Sequence, residues 1–480
     1  MSLNLVRNSR VLFTTNISTA TGAVVTTGAL ATNTFELQVL DGFSFSQTTN
    51  SETVSISEAG STPNRGSRSF NTSLAPVDFS FTTYIRPSKP STVVAEEQVL
   101  WNALLGATAI STATSLGTVS SITRASTAAA VTIVGTGLAS GALPAGTVFT
   151  MGGIGGTLAH EWNTPMLVSS ASATTIIGSY LTAPSTGTAP GALGTPTYQT
   201  SAWTVHPAVA ADTAKPGAYA LVTAAKSGVN QLQPFGLVVA IDGATYLLDN
   251  CALNQAQIDF GLDGIASIQW SGNGTAIRTA AATTFADSAP NTTMSGGFAG
   301  VGLLKVTTAN YITNKLSTIA LASNIGGVSG TTYNLAITGG SLVINNNIGY
   351  ITPANLGVVN VPIGYYTGNL SISGNVTAYL HSGSTPANNT GTLLSNILSN
   401  VATAAETKYR MQLDVGGSGA TTTHVEIELD GASISVPTIE TQQIVSTTIN
   451  FNAQGTSAVL GDNTYDITAS NQIQVRYFSA

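Results

Sequence analysis

The chain has 480 residues, of which only 8% are charged, and a formal net charge of −7. An ordinary soluble domain carries about 25% charged residues, and the negative balance argues against a general nucleic-acid-binding surface. No apolar run approaches the ~20 residues of a transmembrane helix, and a single cysteine, Cys251, excludes an intrachain disulfide framework. Thr, Ser, Asn and Gly take the place of the missing charge, a composition that favours strands joined by turns. A surface so poor in charge suits a protein buried against neighbouring subunits better than a free monomer. Residues 1–8 lack the apolar stretch of a signal peptide, so synthesis in a reducing cytoplasm without export is expected.

In chain order, residues 33–86 read as strands. Phe43 and Phe45 alternate with Ser44 and Ser46, and Phe79 and Phe81 with Ser80 and Thr82, a period of two that turns one face to a core. Residues 58–66, with Gly60, Pro63 and Gly66, are too turn-rich for a strand and read as a long loop. Residues 95–105 are the best helix, with Glu96 and Glu97 suited to its positive N-terminal end. Residues 112–215 read as an inserted β module, with strand-like stretches at 145–151 and 166–177 and an exposed loop at 183–195. Asp259 and Asp263 fall in a turn-rich stretch and read as a solvated loop rather than a calcium site. Residues 393–398 form a second short helix. Val425 to Leu429 alternate apolar and acidic, Asp430-Gly431 reads as a hairpin turn, and Ile434 begins the return.

The same order of landmarks occurs twice. Residues 34–42 parallel 332–340, and 78–85 parallel 369–380. Ile241-Asp242-Gly243-Ala244 resembles Leu429-Asp430-Gly431-Ala432, and Gln257-Ile258 resembles Gln443-Ile444. Ile268-Gln269-Trp270 resembles Ile449-Asn450-Phe451. A fold that packs against its own copy within one chain is expected to pack against copies in others. The units read as 1–111 plus 216–310, the insert 112–215, and 311–480.

Enzyme motifs are missing. His160-Glu161 has no second histidine at helical spacing, there is no phosphate-binding Gly-Lys-Ser/Thr loop, and no Gly-x-Ser-x-Gly elbow occurs. Cys251 reads as a packed small residue. No enzyme, cofactor or metal site is expected.

Residues 40–45, 65–72 and 76–87, together with 429–437 and 447–453, resemble the tail tube (major tail) proteins of tailed bacteriophages. The likeness extends over about three quarters of the chain. It implies a mainly β fold of two tandem tube domains of β-sandwich type, each with a short flanking helix, plus the inserted small β domain. It further implies rings whose inner sheets join into one barrel, three chains to a pseudo-hexameric ring, and rings stacked into a virion tail tube assembled in the host bacterial cytoplasm. The implied partners are the chain itself and other tail proteins, namely a baseplate or tip, a terminator and, where one exists, a sheath. Phage DNA would pass through the lumen without specific binding, and no membrane is involved.

Under that reading Glu426 and Glu428 are candidates for the lumen wall, with Val238 and Ala240 at the matching positions of the first copy. Glu58, Arg65 and Arg68 are candidates for ring-to-ring contact. The alternative is a surface adhesin or receptor-binding fibre, also rich in Thr, Ser and Gly; a long domain seen twice, with a helix in each copy, favours the tube over short tandem repeats.

Overall fold

A computed structural model describes residues 9–25, 34–40, 42–55, 66–85, 97–105, 114–124, 130–141, 143, 148–155, 162, 165–180, 188–199, 203–205, 218–223, 232–241, 244–262, 264–280, 312–323, 332–381, 383, 389–403, 409–417, 424–440, 445–455 and 472–478. The protein is mainly β. The N-terminal half contains β1 (Ser9–Thr14), β2 (Thr34–Leu37), β3 (Ser44–Ser55), β4 (Ser67–Tyr84) and helix α1 (Gln98–Leu105). Strands β5 (Thr114–Ser115), β6 (Thr118–Arg124), β7 (Ala130–Thr136), β8 (Val148–Gly152), β9 (Pro165–Ala171), β10 (Thr175–Tyr180) and β11 (Thr197–Gln199) follow. The chain continues through β12 (Trp203–Val205), β13 (Ala218–Thr223), β14 (Phe235–Ile241), β15 (Ala244–Gly261), β16 (Ser267–Gly274) and β17 (Ala276–Ala280). The C-terminal half has β18 (Thr318–Ser323), β19 (Thr332–Leu335), β20 (Ile337–Asn345), β21 (Gly349–Ile351), β22 (Gly364–Tyr366), β23 (Ser371–Tyr379) and helix α2 (Thr390–Thr403). It ends with β24 (Tyr409–Val415), β25 (His424–Ile434), β26 (Thr438–Glu440), β27 (Ser446–Gln454) and β28 (Gln474–Phe478).

One scheme of strand pairing occurs in both halves. In the first, β2 pairs with β1, β1 with β14, β14 with β15, β15 with β17 and β16, β16 with β4, and β4 with β3. In the second, β19 pairs with β18, β18 with β24, β24 with β25, β25 with β28 and β27, β27 with β23, and β23 with β20. Every one of these pairings is antiparallel. In each half one long strand, β15 or β25, passes from one sheet into another, and the two layers close over an apolar interior.

This scheme revises two sequence readings. Asp430-Gly431 is not a hairpin turn but lies inside β25. Residues 425–428 are already flanked by β24 and β28, so no edge is left for a return strand there. At Gly431 the strand instead changes partner to β27. The resembling Asp242-Gly243 lies outside the described residues, between the paired strands β14 and β15. The counterpart of β25 is therefore β15, and Val238 and Ala240, on β14, are not the positions matching Glu426 and Glu428. The Ile268/Ile449 resemblance does fall on equivalent strands, β16 and β27, whereas Gln443-Ile444 lies outside the described residues.

The helices close the core from the side opposite the polar sheet face. In α1, Val99, Leu100, Trp101, Leu104 and Leu105 are all buried. Trp101 meets Trp270 of β16 edge-on at 5.2 Å between ring centroids, and the Trp270 indole N–H donates to Thr83 Oγ1 at 2.9 Å, satisfying the one polar atom that burial would otherwise strand. Asn389 caps α2, its side-chain oxygen accepting from the Thr392 backbone N–H at 3.1 Å, while Leu393 and Ile397 face inward.

Strands β5 to β11 form a separate seven-stranded sheet around a core of their own that includes Phe149, Trp162 and Tyr180. The stretch 166–177 is two strands joined at Ser172, not one. Strand β12 leaves this sheet and pairs with β13, which pairs with β28 of the C-terminal half. Asp259, expected in a loop, stands in β15 and accepts from Gln257; Asp263 lies outside the described residues. Cys251 is fully buried, and burial pushes its thiol well above the usual range.

Trp101→Ala removes the largest side chain at the helix–sheet contact and is expected to cost about 3–5 kcal/mol. Urea unfolding followed by circular dichroism checks this; a loss under about 1 kcal/mol would mean that the helix is not held by that contact.

Candidate assembly surface

Eight strand segments lie side by side in the order β3, β4, β16, the second half of β15, β20, β23, β27 and the distal part of β25. Alternation dictates what each face carries. Phe79, Phe81, Ile268, Trp270, Ile344 and Phe451 point into the core. The opposite face presents Ser80, Gln269, Gln257, Ser373, Asn450 and Asn452 and their neighbours, all exposed or half-buried. Its cross-strand contacts are polar: Ser44 with Ser80 at 2.9 Å, Asn375 to Ser341 at 3.1 Å, and Asn273 to Asp78. Asp78 and Asp259 are acidic groups on this face, and the only Lys or Arg in the sequence of these strands is Arg68, far along β4. Two shallow grooves of about 430 and 370 Å³ lie on it, one in each half, the first over Gly374 and Phe451, the second over Gly272 and Phe79.

The two halves meet within this sheet. Antiparallel pairs run from Gln255↔Asn345 to Gly261↔Gly339. Gly340 permits the close approach, since a Cβ there would lie 2.6 Å from the Phe260 ring and 2.3 Å from the Asn375 carbonyl oxygen. Just beyond, the Asn346 side chain donates to the carbonyls of Leu104, at the end of α1, and Leu253. Tyr350 donates to the carbonyls of Asn250 and Asn273.

Past the sheet, β3 and β4 run on as an exposed two-stranded arm. Arg68 lies on it, its guanidinium 4.7 Å from the centre of the Phe70 ring; Glu58 and Arg65 lie outside the described residues. The β21–β22 arm of the other half reaches the first, with Leu74 N–H donating to Asn360 O and Asn360 N–H to Thr72 O. Its tip exposes Leu356, Val358, Val361 and Ile363. Such a tip is unusual for a surface loop. The run Leu356 to Ile363, apolar between Pro353 and Gly364, was its visible signal in the sequence.

Glu426 and Glu428 are not on an open face. They are 5% and 1% exposed, on the part of β25 that belongs to the other sheet. Glu428 forms an ion pair with Arg410. The Gln412 side chain bridges Glu426 (3.1 Å) and Asp414 (3.0 Å). In the N-terminal half Asp249 is buried on the corresponding stretch of β15, holding Arg278 and accepting from the Val24 N–H at 2.8 Å. The alternating acidic pattern thus marks internal polar networks, a distinction that strand periodicity alone does not make. Burial, reinforced by the Glu426 charge, pushes the Asp414 carboxyl above its ordinary value. A raised carboxyl favours the protonated fold, so its stabilisation is present below the unfolded-state value and is lost as pH rises through the folded one. Asp414→Asn, which keeps the acceptor for Gln412, is expected to melt higher than the parent at pH 7 and to flatten the change in Tm between pH 4 and pH 7. A lower Tm at pH 7 would show that the charge is stabilising.

No protein-family model matches the chain. It is similar to the tail tube protein pb6 of Escherichia phage T5, with 25% identity over 469 residues, covering 97% of this chain and 75% of the relative. That alignment runs through both halves and the module between them, and the β-rich architecture agrees with it. The chain is therefore a homologue of a bacteriophage tail tube protein, with a structural role in the virion tail.

Proposed function

We propose that three chains form a pseudo-hexameric ring, that rings stack into the tail tube, and that phage DNA leaves through its lumen. The units of the ring would be 1–111 with 216–310, and 311–480, with the β5–β11 sheet of the 112–215 insert decorating the outside and β12 staying with the main sheet. The observation that carries this reading is the eight-strand run. It already joins two half-chain sheets edge to edge, and among the described residues its outermost strand β3 pairs with β4 alone. Continuing the same joint from chain to chain removes that open edge, which otherwise invites uncontrolled pairing.

Size supports three chains. With strands about 4.8 Å apart and tilted about 40°, three such sheets close into a barrel roughly 48 Å across at the backbone, against about 32 Å for two. Only the larger leaves generous room for a duplex once inward side chains are added. The polar face, which the helices leave uncovered, would be the wall. Neutral Ser, Asn and Gln with scattered Asp release no counterions from DNA, so the duplex gains nothing by binding and slides. The two arms, with Arg68 and the apolar 356–363 tip, would bridge successive rings. Tail-end proteins would bind the terminal rings through the same surfaces.

Negative-stain electron microscopy of the purified protein tests the reading. Stacked rings with a central hole and threefold-modulated end views are expected. Dispersed monomers or slender solid trimers would overturn it and favour a receptor-binding fibre.

A further inference from the structure

The eight-strand run has two ends, and the registers place particular residues at each. Gly261↔Gly339, Ser267↔Tyr84 and Ser446↔Tyr379 mark one end. Gly274↔Val77, Gln255↔Asn345 and Ser371↔Asn345 mark the other. Both arms leave from this second end, since β3 and β4 continue past Val77 and β20 leads on to β21 and β22.

The tip of the β21–β22 arm is apolar and uncharged. Leu356, Val358, Val359, Val361 and Ile363 are all exposed, and residues 316–405 contain no Asp, Glu, Lys or Arg. The tip is also held in place. Asn360 bridges to Ser73 of β4, so the tip is fixed over the first half of the chain.

The first half carries an apolar patch at its opposite end. Leu262 and Ile265, between β15 and β16, are exposed, and so is Leu316, the last residue of the 3-10 turn Asn314–Leu316. Backbone bonds tie the two segments together. Ile265 bridges Thr313, the Asn314 N–H donates to Gly264 O at 3.1 Å, and the Ala266 N–H donates to Ile312 O at 2.8 Å. Residues three apart eclipse in such a turn, which sets Leu316 over Thr313 and beside Ile265. Lys315 is exposed at the rim.

Tip and patch thus lie at opposite ends of one half, and a second copy placed end to end brings them together. We infer that the 356–363 tip of a chain in one ring docks on the Leu262, Ile265 and Leu316 patch of a chain in the next. This rests on the stacked-ring reading above and adds which end meets which, and through which residues. The contact is head-to-tail, so it does not close on itself and propagates along a stack. Each contact is a few apolar side chains, far below the area that holds two proteins together alone. Three act in parallel at every ring junction, so closed rings stack where single chains stay apart.

Val358→Lys and Leu316→Asp test the pairing. Each puts a charge into the apolar contact, where burial without a partner is costly, and the first also meets Lys315. Both positions are exposed in the single chain, so the fold does not depend on them. Negative-stain micrographs and sedimentation velocity are expected to show rings that no longer stack for either single variant. The double variant, Val358→Lys with Leu316→Asp, should stack again because the new charges face each other. Its tubes should come apart in ~1 M NaCl, where the Debye length is about 3 Å, while the parent's apolar contacts persist. Tubes from either single variant, or a double variant that gives only separate rings, would overturn the docking and leave the ring standing. Loss of the rings themselves in a single variant would place that residue inside the ring and overturn the docking too. Absence of rings from the unsubstituted protein would overturn both this inference and the reading beneath it.

Discussion

Strand β15 is the element on which the rest depends. Its first half lies between β14 and β17 in one sheet, and its second half lies between β16 and β20 in the other. An 18-residue strand paired on both sides over Thr245–Asp249 and again over Gln255–Asp259 satisfies much of its own backbone, which is what burial of a polar chain demands. It also carries much of the core, since Leu248, Leu253, Ala256, Ile258 and Phe260 are all buried. The C-terminal half attaches to the N-terminal half through this strand, and the side chains of Asn254, Asn346 and Tyr350 lock the attachment by bonding backbone atoms across it. A joint made of backbone ladders depends on register, not on particular side chains.

The second theme is economy of charge. Six acids among the described residues illustrate two environments. Asp249, Asp414, Glu426 and Glu428 are buried, held by Arg278, Gln412 and Arg410. Buried polar groups of this kind add little net stability but penalise wrong pairings, because displaced partners would leave charges uncompensated. Asp78 and Asp259 instead stand on the open polar sheet face. If that face is the wall of the proposed tube, its amides and hydroxyls would neither attract a polyanion nor concentrate its repulsion.

Much of the fold was legible from the residues. Phe79 and Phe81 alternating with Ser80 and Thr82 marked a half-buried strand, residues 95–105 read as a helix, and the Ile268/Ile449 resemblance located equivalent strands. Periodicity of this kind is a local property, set by how successive side chains leave the backbone. The site was less legible. The alternation of Glu426 and Glu428 correctly indicated one face of a strand, but it could not say what covered that face. Asp430-Gly431 has the composition of a turn, yet the strand continues through it, with a register shift against β24, because the edges on both sides of residues 425–428 are occupied.

By itself, then, the amino-acid order determined the strand-rich composition, the repeated landmarks, the two helices and the kinship with a phage tail tube protein. Each of these is encoded in short stretches or in similarity along the chain. Only the tertiary structure decided that β15, not β14, is the counterpart of β25, that the two halves share one sheet, and which acids are buried. Those facts depend on which strands become neighbours. Neighbourhood in a sheet is set by backbone pairing between residues far apart in sequence, and side-chain pattern constrains it only weakly.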